Sequence, residues 1–220
     1  MDRHSFELAG VELFALPSGA MWWPDQALLC ISDMHLGKSG RLARRDGLVL
    51  PPYDTRETLT RLSGDLATTG ARTVICLGDS FDDLAAAQSL SEEDRLRLTS
   101  LQAGRDWIWI EGNHDPGPVN LDGRNLAELK LAPLTFRHIA RVGATGEVSG
   151  HYHPKVRISA RGRTVSRPAF LLDHTRVILP AYGTFTGGLR SDHATLASLM
   201  QPQAVAILTG PQLCAVPMPR

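Results

Sequence analysis

The chain has 220 residues, 23 Lys and Arg against 23 Asp and Glu, and a formal net charge of zero. An apolar share of 43 % with 21 % charged residues is ordinary globular composition and excludes a disordered chain, a collagen-like repeat or a coiled coil. Zero net charge also excludes a protein that holds nucleic acid by bulk electrostatics alone, so any polyanion must be held by local features.

In chain order, the N-terminus carries early acidic residues and no continuous apolar run, so it does not read as a secretory signal. No apolar run approaches the roughly 20 residues that span a bilayer. Residues 27–32, 73–77 and 107–111 read as strands, the first two apolar nearly throughout, as in a sheet covered on both faces. Between the first two, Asp54 and Glu57 have capping-box spacing, and Leu59, Leu62 and Leu66 recur at helical spacing until Gly70. A second helix is expected over residues 91–102, with Leu96, Leu98 and Leu101 apolar, ending at Gly104. Beyond Pro133 the pattern changes to short strands at 134–139, 146–150, 155–159, 176–179, 204–208 and 213–216, separated by Gly, Pro and Asn/Asp clusters. The economical reading is one domain, residues 1–220, with an α/β first half and a β-rich second half. Cys30, Cys76 and Cys214 have apolar neighbours and no Cys-x-x-Cys spacing, and are expected as buried strand thiols of a reducing cytoplasm.

The His, Asp and Asn residues sit where chemistry is expected. Asp33-Met34-His35, Gly78-Asp79 and Gly112-Asn113-His114-Asp115 each follow one of the first three strands, and ligands gather at the carboxyl ends of parallel strands. Gly150-His151-Tyr152-His153 follows another apolar run; if extended, it points both histidines to one side. Carboxylate, imidazole and amide donors without thiolate suit Mn²⁺, Fe or Zn²⁺. Asp33, His35, Asp79, Asn113, His151 and His153, with His138 as the seventh, are too many donors for one tetrahedral ion. They suit two ions sharing Asp79, about 3.5–4 Å apart as in two-metal hydrolases.

Charge is unevenly placed. Residues 151–190 have a local excess of +6, whereas residues 79–94 hold six acids and no base. The arginines from Arg157 to Arg190 are therefore expected to draw a polyanion. Lys38, Arg41, Arg44 and Arg45 follow the first motif and are candidates to line a substrate entrance, unless they are simply a solvated face. Thr184 and Thr186, in the Thr-Phe-Thr-Gly-Gly stretch 184–188, are candidates for a phosphate-contacting loop, with a tight turn as the alternative. Trp22, Trp23, Trp107 and Trp109 offer rings for base stacking, although alternation in a strand favours the core for the last two. His4, His174 and His193 match no motif.

The order Asp-x-His, Gly-Asp, Gly-Asn-His-Asp, His, Gly-His-x-His over residues 33–153 resembles the calcineurin-like metallophosphoesterases. Met-Trp-Trp-Pro at 21–24, Leu36-Gly37-Lys38, Pro-Pro-Tyr-Asp-Thr at 51–55, Gly78-Asp79-Ser80-Phe81, Arg137-His138 and the stretch 179–189 add to this. Together they resemble the PdeM family, the ligase-associated DNA-damage-response endonucleases, along most of the chain. Two departures stand out: Asp82 where that family usually has His, and Ile139-Ala140 where it has Glu-Pro.

The resemblance implies a four-layer α-β-β-α sandwich and a binuclear metal-dependent phosphodiesterase acting on DNA, single-stranded or flapped, in repair. Mn²⁺ would be the preferred metal, with a ligase-associated helicase or DNA ligase as partner. One ion would be held by Asp33, His35, Asp79 and His153, the other by Asp79, Asn113, His138 and His151, with a metal-bridging hydroxide as nucleophile. His114 would be the general acid, with Asp115 holding its imidazole in the useful tautomer. Asp115 is otherwise a turn residue before Pro116. Two other readings compete. One is a hydrolase of a small phosphodiester or nucleotide-sugar pyrophosphate, whose lipid A-pathway example has Gly-Asn-Arg-Asp in place of Gly-Asn-His-Asp. The other is a non-catalytic subunit of a repair complex, which should have lost ligands that this chain keeps.

Overall fold

The computed structural model describes residues 2–47, 51, 53–118, 121–160 and 163–220. Pro52 and Arg161, which belong to segments singled out above, lie outside the described residues. One sheet has strands in the order β1 (His4–Leu8), β2 (Val11–Ala15), β3 (Met21–Trp23), β4 (Leu28–Ile31), β5 (Thr73–Cys76), β6 (Asp106–Ile110) and β7 (Arg124–Leu126). It is antiparallel from β1 to β4 and parallel from β4 to β7. The second sheet contains β8 (Glu128–Leu131), β9 (Leu134–Arg137), β10 (Glu147–Ser149), β11 (Lys155–Ala160), β12 (Arg163–Leu172), β13 (Arg176–Ile178), β14 (Val205–Leu208) and β15 (Cys214–Pro217). Its order is β15-β14-β12-β13-β10-β9-β8, with β11 paired to β12. Here β9, β10 and β13 are parallel neighbours. The helices are α1 (Lys38–Asp46), α2 (Asp54–Thr69), α3 (Leu84–Gln88), α4 (Glu92–Gln102) and α5 (Ala194–Leu199).

Period-two alternation builds the layers. Leu28 and Cys30 of β4, Ile75 of β5 and Ile108 of β6 face Phe136, Val148, Phe170 and Val177 of the other sheet. Leu29, Ile31, Val74, Trp107 and Trp109 face the opposite way, onto Leu59, Leu62 and Leu66 of α2 and Leu98 of α4. A third cluster packs the outer face of the second sheet against Leu196 and Met200. The α-β-β-α order is therefore present, with its fourth layer reduced to the single helix α5.

Several local expectations give way to tertiary contacts. Asp54 does not cap α2; its carboxylate accepts from the Ser39 N–H (3.1 Å) and hydroxyl (2.6 Å), tying α1 to α2. α4 does have its cap, Ser91 accepting from the Asp94 N–H, with Glu92, Glu93 and Asp94 in the first turn. Leu96 of α4 is exposed rather than packed, and so is Cys214. Trp22, Trp23, Trp107 and Trp109 are all buried, so none offers a ring to a base. Where β10 meets β9 and β13, the fully buried Glu147 lies between Arg137 and Arg176, 2.7 and 2.9 Å from their Nη1 atoms.

Candidate metal centre

Every strand that feeds the centre ends just before a candidate ligand. The β4–β5 pairing continues past both strands: the N–H groups of Asp33, His35 and Leu36 donate to the carbonyls of Gly78, Asp79 and Ser80, and Asp82 N–H returns a bond to Leu36. This zips the Asp33–His35 and Gly78–Asp82 segments side by side. From the second sheet, His138 follows β9 and His151 follows β10, linked by the Gly150 N–H bond to the His138 carbonyl.

Among the described residues, eight that are not glycine have positive φ, and five of them are Asp33, His35, Asp79, His151 and His153. Left-handed backbone costs such residues on the order of 1–3 kcal/mol each, and it turns consecutive side chains inward in ways that strands do not allow. The Gly-His-x-His segment is thus a left-handed loop rather than an extended chain. Its histidines consequently serve two different clusters: Asp33, His35 and His153 form one, and Asp79, His138 and His151 form the other. Within each, the candidate ligand atoms lie within 4.8 Å of one another. Gly78 must lack a side chain, because a Cβ there would stand 2.6 Å from His138 Nδ1.

Hydrogen bonds fix which atoms face inward. His138 Nδ1 donates to the Leu77 carbonyl (2.7 Å), so its Nε2 lone pair faces Asn113 Oδ1 (2.9 Å) and His151 Nδ1 (3.2 Å). Asp33 Oδ2 accepts from the Ser32 hydroxyl and the His151 N–H, while Oδ1 is buried without a hydrogen-bond donor, 3.1 Å from His153 Nε2. His35 Nε2 and His153 Nε2 stand 3.4 Å apart. Converging lone pairs and an orphaned carboxylate oxygen are what a cation would neutralise, so the residues present fit divalent metal ions.

The electrostatics agree. Burial pushes the carboxyls of Asp33 and Asp79 up, yet both are held below the usual range, Asp33 mainly by His153 and Asp79 mainly by His138. Burial works against a charged His138 ring, but Asp79 and Asp33 outweigh it and raise its pKa.

Asp82 proves central. It is fully buried, and its Oδ1 lies 2.8 Å from His35 Nδ1, a close contact rather than an aligned hydrogen bond. Arg41 Nε pairs with its Oδ2, and Lys38 Nζ lies 3.8 Å from Oδ1. Burial raises its pKa, but His35 and Arg41 prevail and hold it at about 2. A ring nitrogen this close to a carboxylate carries the proton, which leaves His35 Nε2 as the inward donor. The Asp82 carbonyl accepts from His114 Nδ1 (2.9 Å), so one residue sets the tautomers of two histidines. Asp82→Ala is expected to weaken Mn²⁺ affinity by about 10–100-fold, the usual cost of losing such a support, as read by calorimetric titration of the metal-free protein.

Other candidates sit differently from expectation. Asp115 does not touch the His114 imidazole: its Oδ2 accepts from the Ser80 (2.8 Å) and Phe81 (3.1 Å) N–H groups, because the chain folds it beneath the Gly78–Asp82 loop. Burial and the Asp79 charge push its carboxyl up to about 6 against those two bonds. Lys38 and Arg41 direct their charge at Asp82. The side chains of Arg44, Arg45 and Arg163 lie outside the described residues. The Gly183 and Thr184 N–H groups are spent on the Asp33 carbonyl and the Thr58 hydroxyl, and the Thr186 hydroxyl donates to the Gly183 carbonyl, so this loop presents no ready nest of free amides at those positions. Within the basic stretch, Arg176 is buried on Glu147 and Arg190 pairs with Asp192, which reduces the charge available to a polyanion.

Comparison with known proteins accords with this geometry. A family model described as calcineurin-like phosphoesterase matches residues 27–183, which contain all seven candidate ligands and His114. Among solved structures, the nuclease MPE of Pseudomonas putida superposes with a TM-score of 0.78 at 26 % identity, covering 98 % of this chain and 100 % of that one. Yfce, a phosphoesterase from E. coli, gives a TM-score of 0.41 at 12 % identity, over 87 % of this chain and 99 % of that one. No curated protein matches the sequence significantly. With the family model spanning both histidine clusters and the whole chain superposing on MPE, this protein belongs to the calcineurin-like phosphoesterases and is a metallophosphoesterase of the PdeM/MPE type.

Proposed function

We propose that the chain is a phosphodiesterase that cuts DNA, preferentially single-stranded, at a centre of two divalent cations. The observation that carries this is the pair of adjoining Asp/His clusters with their lone pairs turned inward; similarity to a nuclease supports the choice of substrate. Asp33, His35 and His153 would hold one ion and Asn113, His138 and His151 the other, with Asp79 shared. The oxygen and nitrogen donors suit Mn²⁺. When bound, the cations supply charge stabilisation to the phosphoryl oxygens and activation of a water.

The chain's own residues do the rest. The Leu77 carbonyl and the Asp82 carboxylate keep the His138 and His35 rings from turning. His114 holds its Nδ1 proton on the Asp82 carbonyl, so its Nε2, when protonated, can donate to the departing oxygen. A role in DNA repair beside a ligase or helicase, and one catalytic domain over residues 1–220, complete the reading on family resemblance.

Hydrolysis of bis-p-nitrophenyl phosphate and of a single-stranded oligonucleotide, with Mn²⁺ and with chelator, tests it. Chelation and Asp79→Ala are each expected to reduce both activities at least about 10³-fold, since they remove the charge stabilisation that dominates such sites. Undiminished activity in either case would refute the centre, and turnover of the small diester alone would refute DNA as substrate.

A further inference from the structure

Phe185 is the one large residue outside the metal ligands that the described chain holds at positive φ (60°); the other two, Ala9 and Ala27, are small residues at tight turns. A bulky side chain in the left-handed region is strained, and such strain persists where the surroundings impose it. Here they do so from both sides. The loop carrying Phe185 begins with the Gly183 N–H on the Asp33 carbonyl and ends with the Leu189 N–H on the Tyr152 carbonyl. Lys155 Nζ also donates to the Thr186 carbonyl (3.0 Å). Phe185 is thus held at the tip of a loop anchored beside the ligands Asp33 and His153.

Despite this, its ring is not used for packing: Phe185 is 41 % exposed and stands against Tyr53, itself 51 % exposed, with ring centroids 6.0 Å apart and planes at 53°. Tyr53 lines a hollow of about 480 Å³ with Arg56, Glu57, Thr60 and Arg61, and Phe185 lines a second of about 450 Å³ with Thr184 and Arg61 among others. Arg61 borders both, its Nη1 fixed on the Tyr182 carbonyl and its Nη2 3.9 Å from Glu57 Oε1. The two rings therefore form a ridge between two hollows joined by one guanidinium. A protein with zero net charge does not hold a strand by bulk charge alone, and Arg56 is already paired with Glu93. What it can offer is stacking, which every base accepts.

We propose that Tyr53 and Phe185 form a stacking platform for unpaired nucleobases, placed to hold a strand beside the metal centre. This rests on the reading of the protein as a DNA-cleaving enzyme and makes single-strandedness its specificity, because bases in a duplex have no free faces for the rings.

The test is fluorescence anisotropy of labelled oligothymidylate against an abasic strand of equal length, using the full chain with chelator present so that neither is cut. Wild type is expected to bind the thymidylate at least about 10-fold more tightly, as stacking on an aromatic ring implies. The double variant Tyr53→Leu, Phe185→Leu should bind the two strands equally, whereas Tyr53→Phe, Phe185→Tyr should retain the preference; melting temperatures establish that each variant folds. Equal binding of both strands by wild type, no binding of either, or a preference that survives in the leucine variant would each overturn the platform. DNA cleavage with Mn²⁺ is scored separately, so an enzyme that cuts DNA without base preference refutes the platform alone.

Discussion

His114→Ala is expected to slow cleavage of a DNA phosphodiester by about 10²–10⁴-fold while reducing hydrolysis of bis-p-nitrophenyl phosphate far less. The asymmetry follows from the leaving group. A sugar alkoxide is a strong base that must gain a proton as it departs, whereas a nitrophenolate leaves unaided. On the proposed reading, His114 makes that transfer. Its backbone N–H donates to Asp79 Oδ1 (2.8 Å), its Nδ1 is committed to the Asp82 carbonyl (2.9 Å), and its ring meets that of His35 edge-on at 5.1 Å. Alanine keeps the backbone bond to Asp79 and loses only the ring. The measurement is kcat on both substrates, extended to aryl diesters of graded leaving-group pKa. For the variant, the dependence on leaving-group basicity should steepen. An equal loss on every substrate would assign His114 to building the centre rather than to moving a proton.

The contrast between the candidate ligands and their supports shows what a sequence displays. Asp33, Asp79 and Asn113 each follow an apolar run, so their place at strand ends could be read from local order alone. Even His138, a lone histidine, falls where a ligand is needed. What holds these residues was hidden, because it is set by partners far along the chain. The Leu77 carbonyl that orients His138 lies 61 residues before it, and the Ser80 and Phe81 amides that capture Asp115 lie 35 and 34 residues before it. Spacing gives no access to such contacts; the β5–β6 pairing creates those of Asp115, and the packing of the second sheet on the first creates that of His138. The same reason explains Asp54, whose capping-box pattern was outweighed by Ser39 on a neighbouring helix. The N-terminal antiparallel strands β1–β3 differ: they pair locally, around Ala9-Gly10 and Pro17-Ser18-Gly19, and those turn signals are present in the sequence. Asp82 was visible as a departure from the family pattern, yet its contact with His35 appears only once two loops are zipped together. The ridge of Tyr53 and Phe185 had no signal beyond two aromatic residues 132 positions apart.

Charge follows the same logic and leads to the largest stability effect expected. The basic excess over residues 151–190 counted Arg176, but its guanidinium is 3 % exposed and belongs to the fold. Glu147, fully buried, holds Arg137 Nη1 at 2.7 Å and Arg176 Nη1 at 2.9 Å, and also accepts from the Arg141 N–H at 2.9 Å. Arg176 Nη2 in turn donates to the carbonyls of Arg141 (3.1 Å) and Ala144 (3.2 Å). One carboxylate therefore neutralises two cations at the junction of β9, β10 and β13. Arg137 keeps a second carboxylate, Glu128, 3.0 Å from its Nη2, but Glu147→Ala leaves the buried Arg176 without an acid partner among the described residues and is expected to cost about 3 kcal/mol, the lower end of the usual penalty for stranding buried charge. Glu147→Gln keeps the volume but still turns an amide donor toward a guanidinium, so it should recover little. A well-packed apolar replacement of all three residues should recover much more, because the desolvation penalty disappears together with the attraction. Urea unfolding monitored by circular dichroism gives the comparison. Since Arg137 directly precedes His138, the alanine variant should also bind Mn²⁺ more weakly even under conditions where it remains folded. If Glu147→Ala unfolds at the same urea concentration as wild type, Glu128 and solvent satisfy the two arginines without it, and the triad is not what joins these strands.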